Sequence, residues 1–167
     1  MKNKFFKYFP QGLLPGKIIP FAHKGDWAVH EVLPFIFSQV GPFHLSMATF
    51  NVSEDSLRPI FFMRERNELI SVRFLFDTNV RRHKLDMLLF SSNIADEIRT
   101  TSTHMKVLLC ENKKTCLALV GSANMNKNIR HEAGIITTNK SMYNFYKDYF
   151  QHVFYGDSQP FQLIGYE

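Results

Sequence analysis

Apolar residues return at helical spacing over residues 26–40, where Val29, Val32, Leu33 and Ile36 share one face. Asp26 is placed to cap the start of that helix, and Gly41-Pro42 to end it. Residues 43–50 read as a strand, and Ser53-Glu-Asp-Ser56 opens a helix through Glu65. A second apolar strand, residues 70–76, is closed by Asp77-Thr-Asn79. Residues 81–90 fit a helix whose cationic head opposes the helix dipole. Strand-like runs at 104–110 and 115–120 are joined by the turn-like Glu111-Asn-Lys-Lys114, and another covers 132–138. The last helix, 141–155, carries Tyr143, Tyr146, Phe150 and Phe154 as a ring-rich stripe suited to core packing. Strands alternate with helices early and cluster later. That order predicts an α/β fold, a mixed β-sheet flanked by helices on both faces.

The chain has 167 residues, close to the length of one domain of about 100–200. No repeat, low-complexity tract or Gly/Ser-rich linker divides it, so residues 1–167 read as a single domain, with 1–22 as an extended N-terminal arm. Hydrophobic residues are 45% and charged residues 21%, which argues against disordered and fibrous classes. Two cysteines, Cys110 and Cys116, are too few for a disulfide framework or a four-cysteine zinc site. They read as buried thiols of a reducing compartment. The formal charge of +5 is compatible with a polyanionic partner and does not by itself select one. Lys7, Pro10, Pro15 and Lys17 interrupt any secretory leader. Residues 33–53 are uncharged but broken by Pro34, Gln39, Gly41, Pro42 and His44, as a helix end followed by a strand would be. The expectation is a soluble, cytoplasmic protein with no membrane span.

Chemistry concentrates in three short stretches. His104-Met-Lys106 comes first, Gly121-Ser-Ala-Asn124 follows across a hairpin, and His131-Glu132 comes last. On a strand, residues two apart share a face, so His104 and Lys106 project together, and Ser122 and Asn124 do so if extended. Gly121 permits a close backbone approach. Phosphodiester cleavage needs a nucleophile, an acid for the leaving oxygen and donors for the phosphoryl charge, and this set can supply them. His131 neighbours Glu132, but strand alternation points it away. A separate basic cluster, Arg81, Arg82, His83 and Lys84, reads as a solvated face or as a patch contacting phosphates.

In these residues the chain resembles the phospholipase D superfamily, whose signature is His-x-Lys, four residues, Asp, and then Gly-Ser-x-Asn. His104-Met-Lys106 and Gly121-Ser-Ala-Asn124 match it, and Glu132 sits where members often carry the acidic partner of the histidine. Glu111 stands where the pattern usually has Asp. The resemblance implies a phospholipase D-like fold and catalysis by His104, Lys106, Ser122, Asn124 and Glu132. His104 would attack phosphorus to give a phosphohistidine. Lys106 and Asn124 would hold non-bridging oxygens, Ser122 would add a hydrogen bond, and Glu132 would orient the histidine. No cofactor and no metal are implied.

The mechanism needs two histidines, and the chain has one His-x-Lys. The expectation is therefore a C2 homodimer with one composite site that uses both copies of His104. Short single-motif members resemble nucleases, so the expected substrate is nucleic acid, with Arg81, Arg82 and Lys84 as substrate contacts. A phospholipid headgroup hydrolase and a catalytically silent nucleic-acid-binding dimer are the alternatives.

Overall fold

The computed structural model describes residues 4–162. Among these residues the chain forms eight strands: β1 (Ile18–Lys24), β2 (Phe43–Thr49), β3 (Leu69–Asp77), β4 (Glu97–Thr101), β5 (Val107–Glu111), β6 (Cys116–Gly121), β7 (His131–Thr137) and β8 (Gln159–Pro160). They form one sheet in the order β1-β7-β6-β5-β2-β3-β4-β8. The β2–β3 and β3–β4 pairs are parallel and the others antiparallel. Five helices accompany it: α1 (Leu33–Val40), α2 (Glu54–Glu65), α3 (Thr78–His83), α4 (Leu85–Ser91) and α5 (Lys140–Gly156). The α/β class with a mixed, doubly covered sheet is as expected.

Strand alternation sorts the core into two layers. Leu45 and Met47 of β2, Val72, Phe74 and Phe76 of β3, and Leu108 and Leu119 pack with Leu33, Ile36, Leu57, Ile60 and Leu88 from α1, α2 and α4. Their neighbours Ala48, Leu75, Val107, Leu109 and Ala118 pack under Tyr143, Phe150, Val153 and Phe154 of α5. The aromatic stripe of α5 is thus core. Tyr146 packs at its margin.

Several boundaries differ from the sequence expectation, each for a local reason. The helix expected over 26–40 is a 3-10 turn at Val29–Val32 followed by α1, because Pro34 lacks an N–H and its ring crowds the preceding turn. Asp26 caps neither element; Glu31 instead accepts from the Ala28 N–H at 2.7 Å. The helix expected over 81–90 is two helices broken at Lys84 (φ −139°, ψ 49°). Asp77 caps the first of them by accepting from Asn79 N at 2.8 Å. Arg81, Arg82 and His83 therefore occupy the last turn of α3, the end where the helix dipole favours cations. The sequence reading did not anticipate β4, β8 or β1. Far from extending as an arm, Ile18–Lys24 pairs along its whole length with β7, and Phe5 and Phe9 are buried against Trp27 and Phe35. Both cysteines are free thiols; Cys110 is buried and Cys116 half-buried. Among the described residues, no helix is long and apolar enough to cross a membrane.

Candidate active site

The three motif stretches meet at one edge of the sheet. Antiparallel pairing brings together the start of β5, the end of β6, the start of β7 and the end of β2. Parallel pairing sets the end of β3 beside the end of β2. Carboxyl ends of parallel strands are where open α/β sheets present their ligands.

His104 and Lys106 do not lie on a strand, as the spacing suggested; β5 begins at Val107. The preceding backbone is held elsewhere. Thr103 N donates to the buried Asp77 carboxylate at 2.9 Å, and Met105 N donates to Thr103 Oγ1 at 3.1 Å. Asp77 therefore fixes the start of α3 and the approach to His104 with its two oxygens. The side chains of His104 and Lys106 nevertheless meet. Lys106 Nζ donates to the His104 carbonyl at 2.9 Å and lies 3.2 Å from His104 Nδ1. Phe50 sits beside both, its ring centroid 4.8 Å from the imidazole and 5.6 Å from the ammonium. His104 is exposed and Lys106 half-buried. Burial holds the Lys106 ammonium below its usual pKa, against the opposing pull of Glu132.

The Gly-Ser-Ala-Asn stretch is anchored more tightly. At Gly121 and its cross-strand partner Gly134, side chains do not fit. A Cβ on Gly134 would fall 2.2 Å from the Val120 carbonyl oxygen and 2.8 Å from the Phe21 ring; one on Gly121 would fall 2.7 Å from the Ala133 oxygen. Beyond this closely packed ladder, Ser122 Oγ donates to Glu132 and accepts from Ala133 N at 3.1 Å. Asn128 Nδ2 donates to the other Glu132 oxygen at 3.1 Å. The resemblance set Glu132 on the histidine; here both its oxygens engage Ser122 and Asn128. Asn124 turns Oδ1 inward to accept from Asn51 N at 3.2 Å, leaving its amide nitrogen for a ligand. Thr49 Oγ1 locks this corner: it accepts from Met125 N at 3.1 Å and donates to the Asn51 carbonyl at 2.8 Å.

Other sequence candidates lie further out. Lys84 Nζ donates to the Val52 carbonyl at 2.8 Å, which sets the α3–α4 break against the loop after β2, while Arg81 and Arg82 are exposed. Glu111 lies at the far end of β5 and pairs with Lys147 at 2.7 and 2.8 Å, so its carboxylate joins the α5 layer rather than the edge that gathers His104, Lys106 and Ser122. Its neighbourhood opens a cavity of about 640 Å³ with Val40, Pro42, His44 and Ile70, at the opposite end of β5 from His104 and Lys106. A smaller cavity, about 430 Å³, touches the site through Ser122, Glu132, His131, Lys24 and His23. His23 is buried against Phe21 and Trp27 with both ring nitrogens unpartnered, and burial lowers its pKa. Among the described residues, no group of three His, Cys, Asp or Glu side chains is placed to hold a metal ion.

Sequence reasoning missed Thr49, Phe50, Asp77 and Asn128 as members of this edge. The Asp77-Thr-Asn79 turn chemistry was a usable signal for the first helix cap. Nothing local marks Thr49 and Phe50, whose contacts with Met125 and His104 are distant in sequence; Asn128 bonds Glu132 only four residues on.

No protein-family model and no curated protein sequence matches the chain. Solved structures do. Nuc, a phospholipase D family member from Salmonella typhimurium, superposes with a TM-score of 0.63 at 15% identity, over 88% of this chain and 99% of that one. The phosphatidylserine synthase of Haemophilus influenzae Rd KW20 gives 0.59 at 15% identity, over 89% of this chain and 41% of the synthase. An archaeal chromatin protein described as showing a novel mode of DNA binding gives 0.54 at 9% identity, over 85% and 55%. The fold is that of the phospholipase D superfamily.

Proposed function

We propose that this chain is a phosphodiesterase that cleaves nucleic acid through a phosphohistidine, at a composite site shared by two copies related by a two-fold axis. The supporting observation is that the one His-x-Lys and the one Gly-Ser-x-Asn of the chain meet at one sheet edge, where Glu132 bonds Ser122 and acts electrostatically on Lys106. A ring nitrogen of one His104 attacks phosphorus and forms the P–N bond. The P–O bond to the leaving group breaks, and the imidazolium of the second His104 delivers a proton to the departing oxygen. Water then attacks phosphorus, gives its proton to that second imidazole and expels the first. Lys106 and the Asn124 amide nitrogen take the non-bridging oxygens, where donors aimed at developing charge contribute most. Ser122 turns from Glu132 to the phosphate, and the freed carboxylate orients the His104 ring. The reaction uses no metal.

Nucleic acid fits the cationic surround: Lys24, Lys127, Arg130 and His131 are exposed near the site, and Arg81 and Arg82 extend the track on α3. Lys84 supports that track from beneath through Val52. The test pairs hydrolysis of bis(p-nitrophenyl) phosphate and plasmid DNA with sedimentation. His104→Ala should lose about 10⁴-fold in both reactions, the upper end of what a positioned imidazole supplies, while DNA binding persists and weakens steeply with salt. Hydrolysis by a strictly monomeric protein would refute the composite site. Absence of turnover on either ester, with binding intact, would leave the silent DNA-binding dimer. The likeness to the synthase favours one further reading, a phospholipid headgroup hydrolase, which predicts headgroup release from phosphatidylglycerol vesicles.

A further inference from the structure

Ile129 is the most exposed large apolar side chain among the described residues, at 83%. It sits in the loop of residues 126–130, directly before β7 and Glu132. The backbone that carries it is nonetheless well held. Asn128 Oδ1 accepts from Arg130 N at 2.8 Å, and Asn128 Nδ2 reaches Glu132 at 3.1 Å and Asn126 Oδ1 at 3.5 Å. Gly25, at φ +69°, lies against the loop so closely that a Cβ there would stand 3.2 Å from both the Asn128 oxygen and the Ile129 Cα. A fixed loop thus presents one bare isoleucine beside the catalytic carboxylate.

Its neighbours define what it can meet. Lys127, Arg130 and His131 are exposed around it, and Lys24 is the cross-strand partner of His131. Glu132 is engaged by Ser122 and Asn128, and Asp26, the acid nearest Lys24 in sequence, lies 3.9 Å from Lys7. A second copy of the chain docked through this loop would oppose like charges. Duplex DNA would not: its phosphates complement the flanking cations, and an aliphatic wedge can enter between stacked base pairs.

We propose that the 126–130 loop is a DNA wedge: Ile129 inserts at a base step next to the scissile phosphate while Lys127 and Arg130 hold the flanking phosphates. The inference deepens the nuclease reading and rests on it for the substrate. Opening the stack there would present one phosphodiester to His104 without reading sequence.

The test uses a duplex carrying 2-aminopurine, which brightens when unstacked, on a His104→Ala background so that cleavage cannot produce the signal. Binding should brighten the probe. Adding Ile129→Ala should abolish the brightening and weaken duplex binding roughly tenfold, and Ile129→Leu should retain both. In the otherwise native protein, Ile129→Ala should lower the ratio of duplex cleavage to bis(p-nitrophenyl) phosphate hydrolysis. Equal brightening with and without the isoleucine overturns the wedge. So does conversion of a dimer to a monomer by Ile129→Ala, which would make the loop a contact between copies. Failure of the native protein to hydrolyse the small diester would defeat the phosphodiesterase reading alone, since the brightening experiment decides the wedge separately.

Discussion

The two halves of the site are built differently. Ser122, Asn124 and Glu132 belong to a closely packed ladder and a hydrogen-bonded corner that includes Thr49, Asn51 and Asn128. His104 and Lys106 sit before their strand, exposed and half-buried, bonded mainly to each other and resting on Phe50. In the proposed reaction the first half would receive the anion and the second would supply the nucleophile and a cation. A transition-state charge is best met by groups that need not reorganise. The Asn124 amide, held through Oδ1 by Asn51 N, meets that condition, whereas Ser122 must first leave Glu132.

The first half should break most severely at Gly134. Gly134→Ala meets the Val120 backbone oxygen at 2.2 Å, which no rotamer change can relieve. We expect a loss of about 1–3 kcal/mol or more from overpacking, read as a lower denaturant midpoint, together with loss of hydrolysis. Thr49→Val is the more selective lesion. It keeps the shape but removes the buried hydroxyl that shares the Met125 N–H with the Asn51 carbonyl and donates to that carbonyl. Unfolding should show a cost of about 0.5–1.5 kcal/mol. Turnover should fall through kcat rather than KM, with Thr49→Ser restoring both. The half that precedes β5 is sharpened by pH. Burial lowers the Lys106 pKa, so the ammonium that the proposed hydrolysis uses is lost as pH rises through a value below the ordinary lysine pKa of about 10.4. The alkaline limb of the rate profile should lie correspondingly low, and Lys106→Arg should move it upward, since guanidinium stays charged. An unmoved limb would assign it to another group.

How legible this was in the sequence depended on the range of the contacts. The helices at 54–65 and 140–156 and the strands at 43–49 and 69–77 were readable because burial of one face imprints a period on neighbouring residues. β4 escaped because Ile98 and Thr100 are its only buried positions, too few to set a period. β1 escaped because Pro20 and the polar end His23-Lys24 disguise an edge whose stability comes from pairing with β7, more than a hundred residues away. The same rule covers the site. His104, Lys106, Ser122, Asn124 and Glu132 stood out through spacing and order. The role of Thr49 and the engagement of Glu111 by Lys147 depend on which strand ends and helices become neighbours.

Taken alone, the sequence determined the fold class, the two core-forming periodicities and the chemical identity of the reactive groups, because side-chain type and local spacing are properties of the chain itself. Tertiary structure decided how each of those groups is held. It also decided that Glu111 serves α5 and that an isoleucine stands bare beside Glu132. Those outcomes belong to hydrogen bonds and close approaches between distant segments, and such contacts come into being only when the sheet closes its order.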